Sequence, residues 1–376
     1  MKQSSRTINV ALNLVGTIIG AGVFGLPAVM AHTGLVGGTL LFFAILSLTI
    51  SLHLMYTQVV VMDPVKRRLA GYAGHWVGMW AYWLSLASFF FKNTGALLAY
   101  IILGGEFLAV IMHGLGWYDA VWFWQVSFWL LGALIVFFGL RIVTRIESEL
   151  TWLLIGAMLF TIVVLIPFFG WSNLGAWQLS GFWTAFGVMF FSTTAMTVIP
   201  DVSDIANRQK KVLRSGVFWG TIAAGVLSWA FGLSIALAYP GIQGAMDIYK
   251  AFPPIFWWLI PVVGVLAVST SFITLSQASK NLLHLDLKIK PGNAWLISIT
   301  APMVMYLLTA RDFLSTIGFV GGIFTVINGI FVCLCAWNIM RMKASKISRV
   351  WRYSPLPLVL ILIIVLLQQL IAYANI

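Results

Sequence analysis

The chain has 376 residues and a formal net charge of +12, from 22 Lys and Arg against 10 Asp and Glu. Hydrophobic residues make up 61% and charged residues 9%, against about 25% charged in an ordinary soluble domain. Too few acids and bases remain to cover a soluble surface, which excludes a soluble, disordered or disulfide-stapled secreted protein and points to an all-α polytopic membrane protein.

A helix needs about 20 apolar residues to cross the hydrocarbon core. On that rule the sequence predicts eleven spans, at roughly 8–31, 35–61, 78–112, 121–139, 150–170, 181–200, 214–239, 255–281, 293–310, 313–338 and 355–373. The start MKQSSRT runs into the first apolar segment with no small-residue cleavage pattern, so it reads as a membrane helix rather than a signal peptide. The third span is longer than a bilayer requires and is expected to tilt or protrude. Segment 241–254 reads as a loop with room for a short helix. Cys333 and Cys335 lie two apart in an apolar run and read as packing thiols.

With the N-terminus in the cytoplasm, 19 of the 22 Lys and Arg fall in inner segments, and only Lys250 and Arg311 fall in outer loops. That asymmetry follows the positive-inside rule. The basic charge then reflects topology and attraction to anionic lipid on the cytoplasmic side, not nucleic acid. An odd number of spans places the C-terminus outside, extracellular or periplasmic, and the short loops fit a cell inner membrane.

The first span carries Gly16, Gly20, Gly22 and Gly25, followed by Pro27. Each glycine costs a helix about 1 kcal/mol against alanine, so the cluster predicts an unwound stretch. Backbone groups freed at membrane depth cannot face lipid and must line protein or a cavity. Gly20-x-Gly22-x-x-Gly25 matches a dinucleotide fingerprint, but no strand precedes it and the next acid is Asp63, so that reading fails. Close helix packing through Gly16-xxx-Gly20 is the plainer alternative. The sixth span holds Ser192, Thr193 and Thr194 at mid-length and then Pro200. Hydroxyls there can satisfy backbone freed by a second break. Weakened helices five spans apart predict a five-plus-five inverted repeat, 1–170 and 181–338, with 355–373 an extra helix, all one transporter domain, and a site at the midplane.

These stretches resemble a known group. GTIIGAGVFGLP at 16–27 is similar to the first-helix motif of the amino acid/polyamine/organocation transporter superfamily, which has the LeuT-like fold. The FGLP ending is most similar to the aromatic (hydroxy) amino acid permease and amino-acid/auxin permease branch. FFSTTAMTVIPDVSDIANRQKKVLRSG at 190–216 and AVSTSFITLSQASKNLLHLDLK at 267–288 resemble the sixth and eighth helices of that superfamily. The resemblance implies an ion-coupled symporter with discontinuous helices 1 and 6. It implies a substrate carboxylate on the amides of Gly20, Ala21 and Gly22, where a half-helix N-terminus favours an anion. It implies the substrate ammonium on carbonyls around Phe190, Phe191, Ser192 and Thr193. The aromatic wall suits a large neutral or aromatic L-amino acid.

No cofactor is expected beyond a coupling ion, H+ or Na+. In sodium-coupled relatives the ion lies between helices 1 and 8, which implies carbonyls near Gly16 and Ile19 with hydroxyls among Ser269, Thr270 and Ser271, and a possible Na+ at Thr270 and Ser271. Lys92 sits about 14 residues into the third span, where an ionised group is a functional hypothesis by default. It reads either as a proton carrier or as a snorkelling side chain reaching a cytoplasmic vestibule. Some proton-coupled relatives place such a lysine in helix 5 instead. Glu106 is about 21 Å farther along the helix and is not a direct partner of Lys92. His53 is either a second proton carrier or a hydrogen-bonded structural residue. Asp201 and Asp204 are expected to pair with loop Arg and Lys. Proton symport is favoured over sodium; an exchanger or uniporter for another small solute is the alternative. Enzyme motifs such as HExxH, Gly-x-Ser-x-Gly or a P-loop do not occur, and no channel filter is evident. A monomer or weak homo-oligomer is expected.

Overall fold

The computed structural model describes residues 3–117, 120–138, 142–170, 181–253, 256–309, 312–342 and 353–374; for 142–150 and 285 only the backbone is described. Every regular element among these residues is helical. In chain order they are α1 (Gln3–Ile18), α2 (Leu26–His32), α3 (Leu35–Met62), α4 (Leu69–Trp76), α5 (Met79–Gly114), α6 (Val121–Phe138), α7 (Ile142–Leu165), α8 (Phe182–Thr193), α9 (Ile199–Ile205), α10 (Lys210–Ala238), α11 (Leu259–Asn281), α12 (Pro291–Leu308), α13 (Phe313–Phe319), α14 (Val326–Met342) and α15 (Pro355–Ala374). A 3-10 turn, Ala21–Gly25, joins α1 to α2, and another, Met196–Val198, precedes α9. A π-helical stretch, Val320–Thr325, joins α13 to α14.

Nine helices among the described residues are long and apolar enough to cross a bilayer, and ten if the bent pair Gln3–Ile18 and Ala21–His32 counts as one span. The expected eleven also include the run at 293–310. The run expected at 293–310 does fold, as the 18-residue α12, but Pro291, Gly292, Asn293 and Pro302 leave it less apolar than the rest. The chain between spans two and three holds the short helix α4, which no periodicity announced. Segment 241–254 contains a 3-10 turn at Ala245–Ala251. The basic residues Arg141, Lys343, Lys346, Arg349 and Arg352, and the outer Arg311, lie outside the described residues.

Helices meet without a hydrophobic driving force in lipid, so close packing through small residues takes over. Gly216 and Gly220 of α10 let it lie on α1: a Cβ at Gly216 would stand 2.6 Å from the Val10 Cβ, and one at Gly220 2.7 Å from the Ala11 carbonyl oxygen. Backbone meets backbone where α8 crosses the end of α13 and the π-helical stretch. A Cβ at Gly187 would sit 2.0 Å from the Gly318 oxygen, and one at Gly321 1.9 Å from the Gly187 oxygen. The outer faces of α6 and α15 carry exposed Leu131, Phe137, Leu360 and Leu367, as lipid-facing surfaces do. From the opposite face of α15, Gln369 is fully buried and donates to the Trp183 carbonyl at 2.9 Å, which ties this last helix to α8.

Candidate functional site

The glycine cluster interrupts the first span where the sequence predicts it. α1 ends at Ile18, Gly20 is extended (φ −129°, ψ −157°), and the chain bends by 48° before α2. The first amides of the following turn, Ala21 and Gly22, have no carbonyl of their own turn to bond. In the sixth span α8 stops at Thr193; Thr194 is extended (φ −92°, ψ 134°) and Ala195 is non-helical before the 3-10 turn. The interruption thus falls at Thr194 and Ala195, beginning at the last of the three hydroxyl residues Ser192, Thr193 and Thr194.

The two interruptions touch. Ser192 Oγ donates to the Gly22 carbonyl at 2.7 Å, and a Cβ at Gly22 would lie 2.8 Å from that oxygen and 3.1 Å from Phe191 Cδ1. Gly22, Phe191 and Ser192 therefore meet. Phe190 is fully buried against Phe186, with ring centroids 5.7 Å apart, and Thr193 Oγ1 lies 3.1 Å from Thr49 Oγ1.

On one side of this junction lies a cavity of about 980 Å3, at the upper end of the range for small-molecule sites. Asn9, Asn13, Gly16 and Thr17 of α1 line it at helical spacing, as do Ser271, Thr274 and Ala278 of α11. Met196, Thr197 and Val198 form a third wall, and Lys92 and Tyr100 of α5 a fourth. The mouth carries Lys66, Arg67, Arg68, Asp201 and Asp286. Beyond the break the first span is sealed: Phe24, 2% exposed, packs edge-on against Phe107 at 5.2 Å and Phe231 at 6.2 Å. The cavity thus runs from the basic end of the bundle to the level of Gly16 and Thr17, one turn short of the break in the first span. None of Gly20, Ala21, Gly22, Phe190, Phe191, Ser192 or Thr193 lines it.

Residues 3–371 match the tryptophan/tyrosine permease family. The chain belongs to that family. It is 24% identical over 350 residues to glutamine transporter 2 of Aliivibrio fischeri, covering 89% of each chain. Among solved structures it is similar to Mhp1, a nucleobase-cation-symport-1 family transporter in a closed conformation with bromovinylhydantoin bound (TM-score 0.68, 13% identity, 98% of this chain and 92% of that one). It is also similar to MhsT in complex with L-phenylalanine (TM-score 0.61, 14% identity, 97% of each chain). These likenesses establish a LeuT-like fold, and the family makes the protein a multi-pass membrane transporter rather than an enzyme.

Of the residues expected at an ion site in this permease, Gly16 and Ser271 line the cavity. A Cβ at Gly20 would stand 3.4 Å from Ser271 Oγ, so α11 faces the break there. Thr270 turns its hydroxyl back onto its own helix, donating to the carbonyls of Ala267 at 3.0 Å and Leu266 at 3.2 Å, and neither it nor Ser269 lines the cavity. Ile19 is buried with its amide on the Val15 carbonyl. Thr151 of α7 was not singled out from sequence. It lines the cavity, and a Cβ at Gly16 would lie 2.9 Å from its hydroxyl. Among the described residues, no group of His, Cys, Asp and Glu is arranged to hold a metal ion.

Lys92 is 7% exposed, lines the cavity and has no hydrogen-bond or ion-pair partner among the described residues. Asn328 of α14 lines the same cavity with its side-chain oxygen unpaired. His53 is fully buried and bonded at both ring nitrogens, to Thr221 and to the Ala195 amide. Glu106 lies on α5, away from the cavity lining.

The mouth is organised by charge. Lys66 Nζ lies 2.6 Å from Asp204 and 3.3 Å from Asp201. Burial works against its charge, but the hydrogen bonds to the two carboxylates outweigh it and hold its pKa above the usual lysine value. Arg68 pairs with Asp286 at 3.6 Å; burial pushes that carboxyl up and Arg68 pulls it partly back. Arg208 donates to the carbonyls of Val60 at 2.6 Å and Pro64 at 2.8 Å, capping the end of α3.

Proposed function

We propose that the protein is a secondary active amino acid symporter that works by alternating access, with an aromatic or other large neutral L-amino acid as substrate. The observation that carries this reading is the cavity that reaches the interrupted first span from one end and is sealed beyond it by Phe24, Phe107 and Phe231. The charge asymmetry supports a cytoplasmic N-terminus and an inner-membrane location, with anionic lipid at the basic loops. The cavity then faces the cytoplasm, in an inward-open state. An inverted repeat of 1–170 and 181–338, with 355–373 added, accounts for paired breaks in spans one and six.

In this proposal the zwitterion spans the junction. Its carboxylate rests on the amides of Gly20, Ala21 and Gly22, and its ammonium on carbonyls of Phe190, Phe191 and Ser192, with Thr193 behind. The ammonium, a donor, also replaces the hydroxyl of Ser192 on the Gly22 carbonyl, leaving Ser192 its bond to the Val188 carbonyl. The family name and the phenylalanine bound to MhsT support an aromatic side chain. The glutamine transporter favours a second reading, a neutral amide-bearing amino acid in the same place. Proton coupling through Lys92 is favoured over sodium coupling because its cation faces the cavity without a partner among the described residues. A sodium ion between the carbonyls of Gly16 and Ile19 and the hydroxyls of Ser271 and Thr270 is the rival. The protein acts as a monomer or weak homo-oligomer.

The test is binding of radiolabelled tryptophan to purified protein, competed by tyrosine, phenylalanine and glutamine. Saturable one-to-one binding that Gly20→Leu abolishes is expected. Binding unaffected by Gly20→Leu contradicts the placement of the carboxylate.

A further inference from the structure

The break in the sixth span leaves the Ala195 amide without a helical acceptor. It donates instead to Nε2 of His53 on α3, at 3.0 Å. The other ring nitrogen, Nδ1, lies 2.9 Å from Thr221 Oγ1 on α10. These contacts fix the proton. A backbone N–H only donates, so Nε2 is bare and Nδ1 carries the hydrogen. Thr221 accepts it and gives its own proton to the Val217 carbonyl at 2.8 Å. The ring is wholly buried, and each donor in the chain has one acceptor.

One turn earlier on the same face of α3, Thr49 Oγ1 lies 3.1 Å from Thr193 Oγ1. Thr193 gives its proton to the Met189 carbonyl at 2.9 Å, so Thr49 is the donor. Two side chains of α3 thus bracket the break, one on the last residue of α8 and one just past it. The next residues, Met196, Thr197 and Val198, form a wall of the cavity.

We propose that His53 is a positioning residue for transport: as a neutral Nδ1–H imidazole it latches the break of the sixth span and sets the place of the Met196–Val198 wall. The proposal rests on the transporter reading of the cavity. A second proton on the ring would set N–H against N–H at Ala195, so the latch holds only while the ring is neutral. Among the described residues, Lys92 on α5 is the charged group within electrostatic range of the ring, and Tyr56 is a titratable neighbour one turn along α3. Thr221, Thr193 and Ala195, from α10 and the sixth span, do not titrate.

The experiment compares His53→Gln, His53→Asn and His53→Leu by uptake kinetics in liposomes, normalised to monodisperse protein. Gln places an oxygen near the position of Nε2 and keeps an acceptor for Ala195. Asn is too short for Ala195 and keeps only the Thr221 contact; Leu keeps neither. His53→Gln is expected to hold KM within about threefold of the unaltered protein, while His53→Asn and His53→Leu raise it about tenfold or more, the scale of one buried hydrogen bond. Wild-type KM in His53→Asn, or His53→Gln no better than His53→Leu, overturns the proposal. Nitrogen-15 NMR of histidine-labelled protein tests the latch without transport, with the His53 signal assigned by its loss in His53→Gln. A neutral Nδ1–H ring is expected, and an Nε2–H or doubly protonated ring at neutral pH overturns the proposal. If the unaltered protein takes up no amino acid, the transport reading fails while the NMR result still decides the latch.

Discussion

Ser192 and Gly22 are 170 residues apart in the chain, yet the hydroxyl of one donates to the carbonyl of the other at 2.7 Å. The same hydroxyl lies 2.7 Å from the Val188 carbonyl. With one proton for two acceptors, Ser192 divides its bond between its own helix and the first span. Such a divided bond is one a substrate group can take over without stranding the serine.

The closeness of this contact makes Gly22 intolerant of a side chain. In Gly22→Ala the new Cβ meets Ser192 Oγ at 2.8 Å and Ser192 Cα at 3.0 Å, so spans one and six must part. Substrate affinity is expected to fall about tenfold or more, equivalent to about 1.4 kcal/mol. Gly156→Ala is the control, because nothing lies within 4 Å of its added Cβ. Binding of labelled substrate to both variants checks this, with Gly156→Ala expected to match the unaltered protein.

Gly187 and Gly321 test packing rather than binding. Their backbones approach so closely that an added Cβ would reach 2.0 Å and 1.9 Å from carbonyl oxygens. No rotamer relieves a clash with backbone, so either glycine-to-alanine change is expected to destabilise by roughly 3 kcal/mol or more. Thermal unfolding in detergent, followed by size-exclusion chromatography, reads this directly. A variant as stable as the unaltered protein would show that α8 and the π-helical stretch are not in backbone contact.

Asp247 gives a pH signature in the 241–254 loop. Burial raises its carboxyl, but Lys250 and the amides of Gln243 and Gly244 outweigh burial and hold it below the ordinary value of 3.8. A depressed folded pKa means the contribution is present above the unfolded value and is lost as pH falls through the folded one. Asp247→Asn should therefore lower the apparent Tm by about 2 °C at pH 7. The gap should close as the pH is taken below 3.8. Thermal scans of both proteins across pH check the sign.

Lys92 tests coupling. If its cation responds to the proton gradient, Lys92→Gln retains substrate binding and exchange but loses about tenfold of gradient-driven uptake. Counterflow and net uptake measured side by side separate the two. Unchanged acceleration by a proton gradient in Lys92→Gln would falsify its role in coupling.

The spans were legible because a bilayer admits few solutions, and an apolar run of about 20 residues is one of them. The first break was legible for a related reason: four glycines in ten residues exceed what one close helix contact needs. Other features depend on partners distant in sequence. The sixth-span break falls at Thr194 and Ala195, where His53 supplies the acceptor, and nothing near Ala195 in the chain signals that. The π-helical stretch at Val320–Thr325 changes a hydrogen-bond register and leaves no residue pattern. Ser271 and Thr270 are adjacent in sequence, but only tertiary packing turns Ser271 to the cavity and leaves Thr270 bonded to its own helix. α12 was legible in the same way as the other spans, since the apolar run at 293–310 forms a helix despite Pro302 in its interior.

The most direct test is uptake of labelled amino acids by the purified protein in liposomes, under a proton gradient alone and then a sodium gradient alone. Saturable uptake of tryptophan, tyrosine or phenylalanine under the proton gradient is the predicted result. Uptake under sodium alone would move coupling to the Gly16 and Ser271 region, and uptake of glutamine instead would replace the aromatic substrate. No uptake of any amino acid under either gradient, from folded protein, would contradict the account.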